Sequence, residues 1–170
     1  MQHYNRAEAV DYARKWATGR NPDYMDYEDL GGDCTNFISQ CLHHGGIPFD
    51  HNGDAMSKHW YWYSEHDRTP SWTGVHALRT YLLGNNDLGT CHPGVYATVC
   101  HWQDLEPGDL VQKEIDGNLT HTMIVTKKVL DDQGKVIDYL ICQHSYDLED
   151  FPLSKKDGIL HYIKIHGYYD

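Results

Sequence analysis

Cys34, His121 and the polar residues around position 144 are the side chains whose types and spacing suit covalent chemistry. Cys34 lies in Gly31-Gly32-Asp33-Cys34-Thr35-Asn36-Phe37-Ile38-Ser39-Gln40-Cys41-Leu42, where positions 34, 37, 38, 41 and 42 are apolar. That spacing lays one stripe along a helix that must pack into a core. Asp33 suits the N-cap, the glycines before it permit a sharp turn, and Gly45-Gly46 can close the far end. Cys34 then takes the first helical position, where unpaired N–H groups and the positive end of the helix dipole favour an anion. The expectation is a thiol of lowered pKa, with N–H groups ready for an oxyanion. A cysteine on an apolar stripe is also ordinary core material, and Cys41 reads as that.

A thiol nucleophile needs a base. Leu119 to Leu130 alternates as a strand, with His121, Met123 and Val125 on one face and Thr122 and Ile124 on the other. His121, at the start of this strand, is the candidate. Asp131-Asp132-Gln133-Gly134 reads as a turn and Val136 to His144 as the return strand, a register that sets His144 opposite His121 to fix its tautomer. A one-residue slip or a bulge brings Gln143 or Ser145 there instead. Two facing histidines and a cysteine also describe a zinc site, but Thr35 and Asn36 give Cys34 no second ligand, so no metal is expected. Neither does this chemistry call for an organic cofactor.

The elements that position these groups come in α+β order, helices first and antiparallel strands after. Asn5 to Ala17 is a first helix, and the loop from Asn21 to Leu30 carries Tyr24 and Tyr27 toward the Cys34 helix, where either phenol is a candidate oxyanion donor. Trp60, Trp62 and Trp72 lie in a segment rich in aromatics, which reads either as core or as a substrate groove, and Asp33 beside the sulfur is a further candidate contact. A helix follows over Val75 to Leu83, turn chemistry from Asn85 to Pro93, and strands at Val95 to Trp102, after Pro107-Gly108-Asp109, and at Gly158 to His166.

A chain of 170 residues fits one domain, 1–170. Its net charge of −11, with no run of lysine or arginine, disfavours a nucleic-acid surface. No apolar stretch approaches about 18 residues, so neither a membrane span nor a signal peptide is expected. Cysteines at 34, 41, 91, 100 and 142 form an odd set without CxxC spacing, which excludes a full disulfide framework.

Gly31-Gly32-Asp33-Cys34-Thr35-Asn36-Phe37-Ile38-Ser39-Gln40, Met56-Ser57-Lys58-His59-Trp60, Ser71-Trp72, Leu105-Glu106-Pro107-Gly108-Asp109-Leu110 and His121-Thr122-Met123-Ile124-Val125 resemble the bacterial putative amidase domain family. That family is related to the NlpC and CHAP peptidoglycan hydrolases of the papain-like superfamily. The resemblance implies a papain-like domain with N-terminal helices on an antiparallel sheet, a nucleophile at Cys34, a base at His121 and a third polar residue at His144. It further implies an amide or peptide substrate, most naturally peptidoglycan; the compartment stays open, secreted or wall-associated if the domain is part of a longer exported chain. A non-catalytic wall-binding or partner-binding module on the same fold is the alternative, and a zinc-dependent hydrolase a more distant one.

Overall fold

A computed structural model describes residues 1–85 and 92–170, so Cys91 and most of the expected turn from Asn85 to Pro93 lie outside the described residues. Helix α1 spans Arg6–Trp16, and the Asn5 side chain accepts the Glu8 N–H at its start. Helix α2 spans Cys34–His44 and buries every residue from Cys34 to Leu42. A small hairpin of β1 (Trp62–Ser64) and β2 (Asp67–Arg68) follows, then the short helix α3 (Pro70–Thr73) and helix α4 (Val75–Leu83). The remaining strands are β3 (Gly94–Val99), β4 (Leu110–Ile115), β5 (Asn118–Leu130), β6 (Val136–Gln143), β7 (Leu148–Pro152) and β8 (Ile159–Tyr169). They form one antiparallel sheet in the order β3-β8-β4-β5-β6-β7. The α+β expectation therefore holds, with helices packed on an antiparallel sheet.

Both faces of the central strands are covered. On one side Leu110, Ile124, Cys142, Ile163 and Ile165 pack with Phe37, Ile38 and Leu42 of α2. On the other, Val111, Met123, Val125 and Ile141 pack with Leu105, Tyr139 and Leu153. Met123-Ile124-Val125 is thus a strand buried on both faces, where its apolar residues point alternately into two separate clusters.

The Pro107-Gly108-Asp109 turn fastens the layers. Buried Asp109 takes the Arg6 guanidinium at 2.7 Å, the Ile165 N–H at 2.9 Å and the Glu106 N–H at 2.8 Å, with Lys164 at 3.2 Å. The Tyr4 hydroxyl donates to the Gly108 carbonyl at 3.0 Å, and Arg6 also donates to the carbonyls of Pro107 and Ile165. Nearby, Gln2 and Tyr168 exchange backbone hydrogen bonds, which holds the segment before α1 beside the end of β8.

The β5–β6 register differs from the expected one. Ile124 pairs with Cys142 and Val125 with Ile141, and a bulge between Val125 and Lys127 shifts the pairing below it. The slip puts Gln143 on the face of His121 and sends His144 to the α2 side with Ile124 and Cys142.

Candidate active site

Helix α2 begins at Cys34 because Gly31 and Gly32 take φ of +109° and +113°, turning the chain sharply in a region that strains other residues. A Cβ on Gly32 would also stand 3.2 Å from the Ser145 hydroxyl. Asp33 occupies the N-cap position, but its carboxylate makes no capping bond. It accepts the Tyr27 N–H at 2.8 Å and the Asn36 amide at 2.9 Å through Oδ1. Through Oδ2 it meets His144 Nδ1 at 2.5 Å and Arg20 at 3.5 Å. Asp33 is fully buried, so it is a strut for the turn and not a surface for substrate.

The sulfur of Cys34 lies 3.7 Å from the Thr35 hydroxyl and against the backbone N–H of Thr122, the residue that follows His121 on β5. Cys34 keeps only 8% of its surface exposed. Burial pushes its thiol up, more than the N–H groups of Thr122 and Thr35 and the Thr35 hydroxyl pull it down, and the Asp33 charge adds to the rise. The helix-dipole expectation of a lowered thiol pKa is thereby corrected: desolvation outweighs it at this site.

His121 is 7% exposed. Burial pushes its ring down to about 4, a hydrogen bond with the Gln143 side chain opposes this, and Lys156 and Lys113 add to the fall. Its Nε2 is buried with no hydrogen-bond partner. By strand alternation His121 belongs with Met123 and Val125, whereas Thr122 and Ile124 face α2, and no hydrogen bond joins the sulfur to the imidazole. The structure brings Cys34 and the backbone beside His121 together while holding both side chains neutral.

His144 does not orient His121. Its Nδ1 meets Asp33, its Nε2 donates to the Trp16 carbonyl at 2.7 Å, and its ring stacks on Phe37 at 4.0 Å. Both ring nitrogens are engaged, so His144 ties the ends of α1 and β6 to the start of α2. The polar residue beside His121 is Gln143, whose amide is pinned by Lys156 at 2.8 Å and by the Tyr146 carbonyl at 2.8 Å.

The tyrosines and tryptophans are also displaced from their expected roles. The Tyr24 hydroxyl pairs with His44 at 3.3 Å, at the far end of α2 and roughly 15 Å along the axis from Cys34. The Tyr27 hydroxyl accepts Trp62 Nε1 at 2.9 Å. Neither phenol is aimed at the sulfur. Trp60 and Trp72 are fully buried, donating to Ser39 at 3.2 Å and Asn36 at 2.9 Å, so they are core and not groove. Trp62 alone of the three is half-buried. Sequence reasoning missed Thr35, Thr122, Gln112 and Arg20; the first three are small or neutral polar residues on core-facing positions, and that mismatch was the available signal.

Residues 3–167 match the family described as Putative amidase domain. The chain belongs to that family. It is 36% identical over 146 residues to Uncharacterized protein YhbB of Bacillus subtilis (strain 168), covering 85% of this chain and 42% of that protein. It is also 36% identical over 139 residues to Uncharacterized protein YjcM of the same strain, covering 75% of this chain and 29% of that one. The chain thus spans less than half the length of either curated relative. No solved structure matches it. Among the described residues no group of three or more His, Cys, Asp or Glu is placed to hold a metal ion, and no helix is long and apolar enough to cross a membrane.

Proposed function

We propose that this domain is a cysteine-dependent amide hydrolase of papain-like fold, kin to the NlpC and CHAP enzymes, whose substrate is an amide or peptide bond of peptidoglycan. One observation carries the reading: a sulfur at the start of a buried helix rests against the β5 backbone at Thr122, the residue next in sequence to a histidine whose buried Nε2 has no partner. A buried polar atom without a partner costs free energy, and such atoms gather where chemistry needs them. The family membership supports amide hydrolysis as the reaction class.

In the proposed mechanism His121 serves as the base for Cys34, and substrate entry must move the end of β5 so that the ring passes from the Met123 face to the sulfur, since hydrogen bonds between catalytic groups tighten in the complex. His121 takes the thiol proton as the sulfur bonds to the carbonyl carbon, and the Cys34 backbone N–H holds the resulting oxyanion. Collapse breaks the C–N bond, His121 protonates the leaving amine, and water then cleaves the thioester to free the acid and the thiol. Gln143 takes the orienting role first assigned to His144.

The second reading, a wall-binding or partner-binding module, is favoured by the neutral, nearly enclosed thiol. Incubation with purified peptidoglycan, followed by mass spectrometry of released fragments, separates the two. Wild type releasing new lactyl ends or new amino-acid amines, with Cys34→Ala releasing none, supports the enzyme. Tight sedimentation with the wall and no fragments selects the module, and activity that survives Cys34→Ala but not a chelator selects a zinc hydrolase.

A further inference from the structure

The thiol of Cys34 terminates a chain of side chains that crosses from the sheet into α2. Thr35 Oγ1 stands 3.7 Å from Cys34 Sγ and 3.3 Å from Thr122 Oγ1. Gln112 Nε2 on β4 donates to Thr122 Oγ1 at 3.3 Å and to the Val75 carbonyl at 3.0 Å. Gln112 and Thr122 pair across β4 and β5, and all three residues are fully buried. Water does not reach these hydroxyls, so their protons must point at one another.

The direction of the chain follows from chemistry. The Val75 carbonyl can only accept, so it fixes the Gln112 amide with Nε2, and not Oε1, facing Thr122. A thiolate can only accept as well, so Thr35 must donate to it once the proton has left. Thr35 then offers its lone pair to the Thr122 O–H, and Thr122 offers its own to the Gln112 N–H. Run the other way, with the thiol donating to Thr35, the chain leaves the Thr122 hydroxyl proton without an acceptor among the described residues. Once the thiol proton has left, bonds running toward sulfur satisfy the Gln112, Thr122 and Thr35 donors together, with Gln112 Oε1 left unpartnered, and serial bonds in a low-dielectric interior polarise one another.

We propose that Gln112, Thr122 and Thr35 are positioning residues that deliver a hydroxyl donor to Cys34 Sγ and stabilise the sulfur in its ionised form. The claim rests on the proposed function only in taking Cys34 as the nucleophile. None of the three touches substrate; they act through the sulfur.

The test is site-resolved alkylation of Cys34 by iodoacetamide from about pH 6 to about pH 11, read by peptide mass spectrometry so that the other cysteines do not interfere. Thr122→Val keeps the shape and removes the hydroxyl. We expect it to raise the alkylation midpoint by about one pH unit, which is about tenfold less thiolate at any pH below the midpoint. Thr122→Ser should restore the wild-type profile, and Gln112→Met should give a smaller rise in the same direction. Thr122→Val and Gln112→Met both titrating as wild type would overturn the relay; should Thr122→Val not fold, the Gln112→Met profile decides alone. These midpoints need no substrate. A chain that fails to cut peptidoglycan but shows the shift keeps the relay and loses the hydrolase, while the reverse pair of results does the opposite.

Discussion

Gln143 and His144 are neighbours in sequence with separate tasks, and substitution should part them. His144 and Asp33 are buried together, so His144→Ala leaves a carboxylate with one partner fewer in the interior. Breaking such a pair costs on the order of 3 kcal/mol. Urea unfolding should show that loss for His144→Ala, whereas Gln143→Ala should lower kcat far more than it lowers stability. His121 adds a pH signature. Its ring is held down near 4 against an ordinary 6.5, so the unfolded chain binds the extra proton first as pH falls. Its contribution to stability is therefore intact above about pH 6.5 and fades toward pH 4, amounting to about 3 kcal/mol at 1.36 kcal/mol per unit. Unfolding free energies measured across that window should lose most of this slope in His121→Gln.

At the scale of elements, the start of α2 is the part most sensitive to small changes. Gly32→Ala would set a Cβ in a positive-φ position with the Ser145 hydroxyl 3.2 Å away, and both effects act on the turn that aims Cys34. We expect a loss of about 1–2 kcal/mol by thermal unfolding, with a fall in the Cys34 alkylation rate beyond it. Asn5→Ala at the start of α1 should cost about 1 kcal/mol through the lost cap and leave Cys34 reactivity alone. These helices were legible because a stripe with capping residues depends on nearby sequence only. So were β5 and the position of Cys34 at the first turn of α2. The two-residue β2 and β7 over Leu148–Pro152 were not, since pairing with a distant strand creates them. The turn pairing of Leu130 with Val136 and the two register shifts, near Leu130 and near Thr126, were equally hidden, and together they moved the third polar residue from 144 to 143. Asp33 was recognised as an N-cap, yet its carboxylate is shared among Tyr27, Asn36, Arg20 and His144, and nothing local announces His144.

For the molecule as a whole, the aromatic segment that read either as core or as a groove is, at Trp60 and Trp72, core packed between α2, α3 and α4. Trp60 and Trp72 lie 4.8 Å apart between ring centres, and Trp60 stacks on Tyr81 at 6.0 Å. Trp72→Ala should destabilise the fold by about 3–5 kcal/mol in denaturant melts. Trp62→Ala, half outside, should cost less and is the variant to read for a change in KM.

The bridge between Gln2 and Tyr168 has one more consequence. Because these two segments lie side by side, a few added residues could join them without bending the sheet. The backbone could then be reopened at the exposed corner 132–134, at the opposite end of β5 from His121. Such a circular permutant should keep the same architecture, and its thiol should titrate as in the original order of connection.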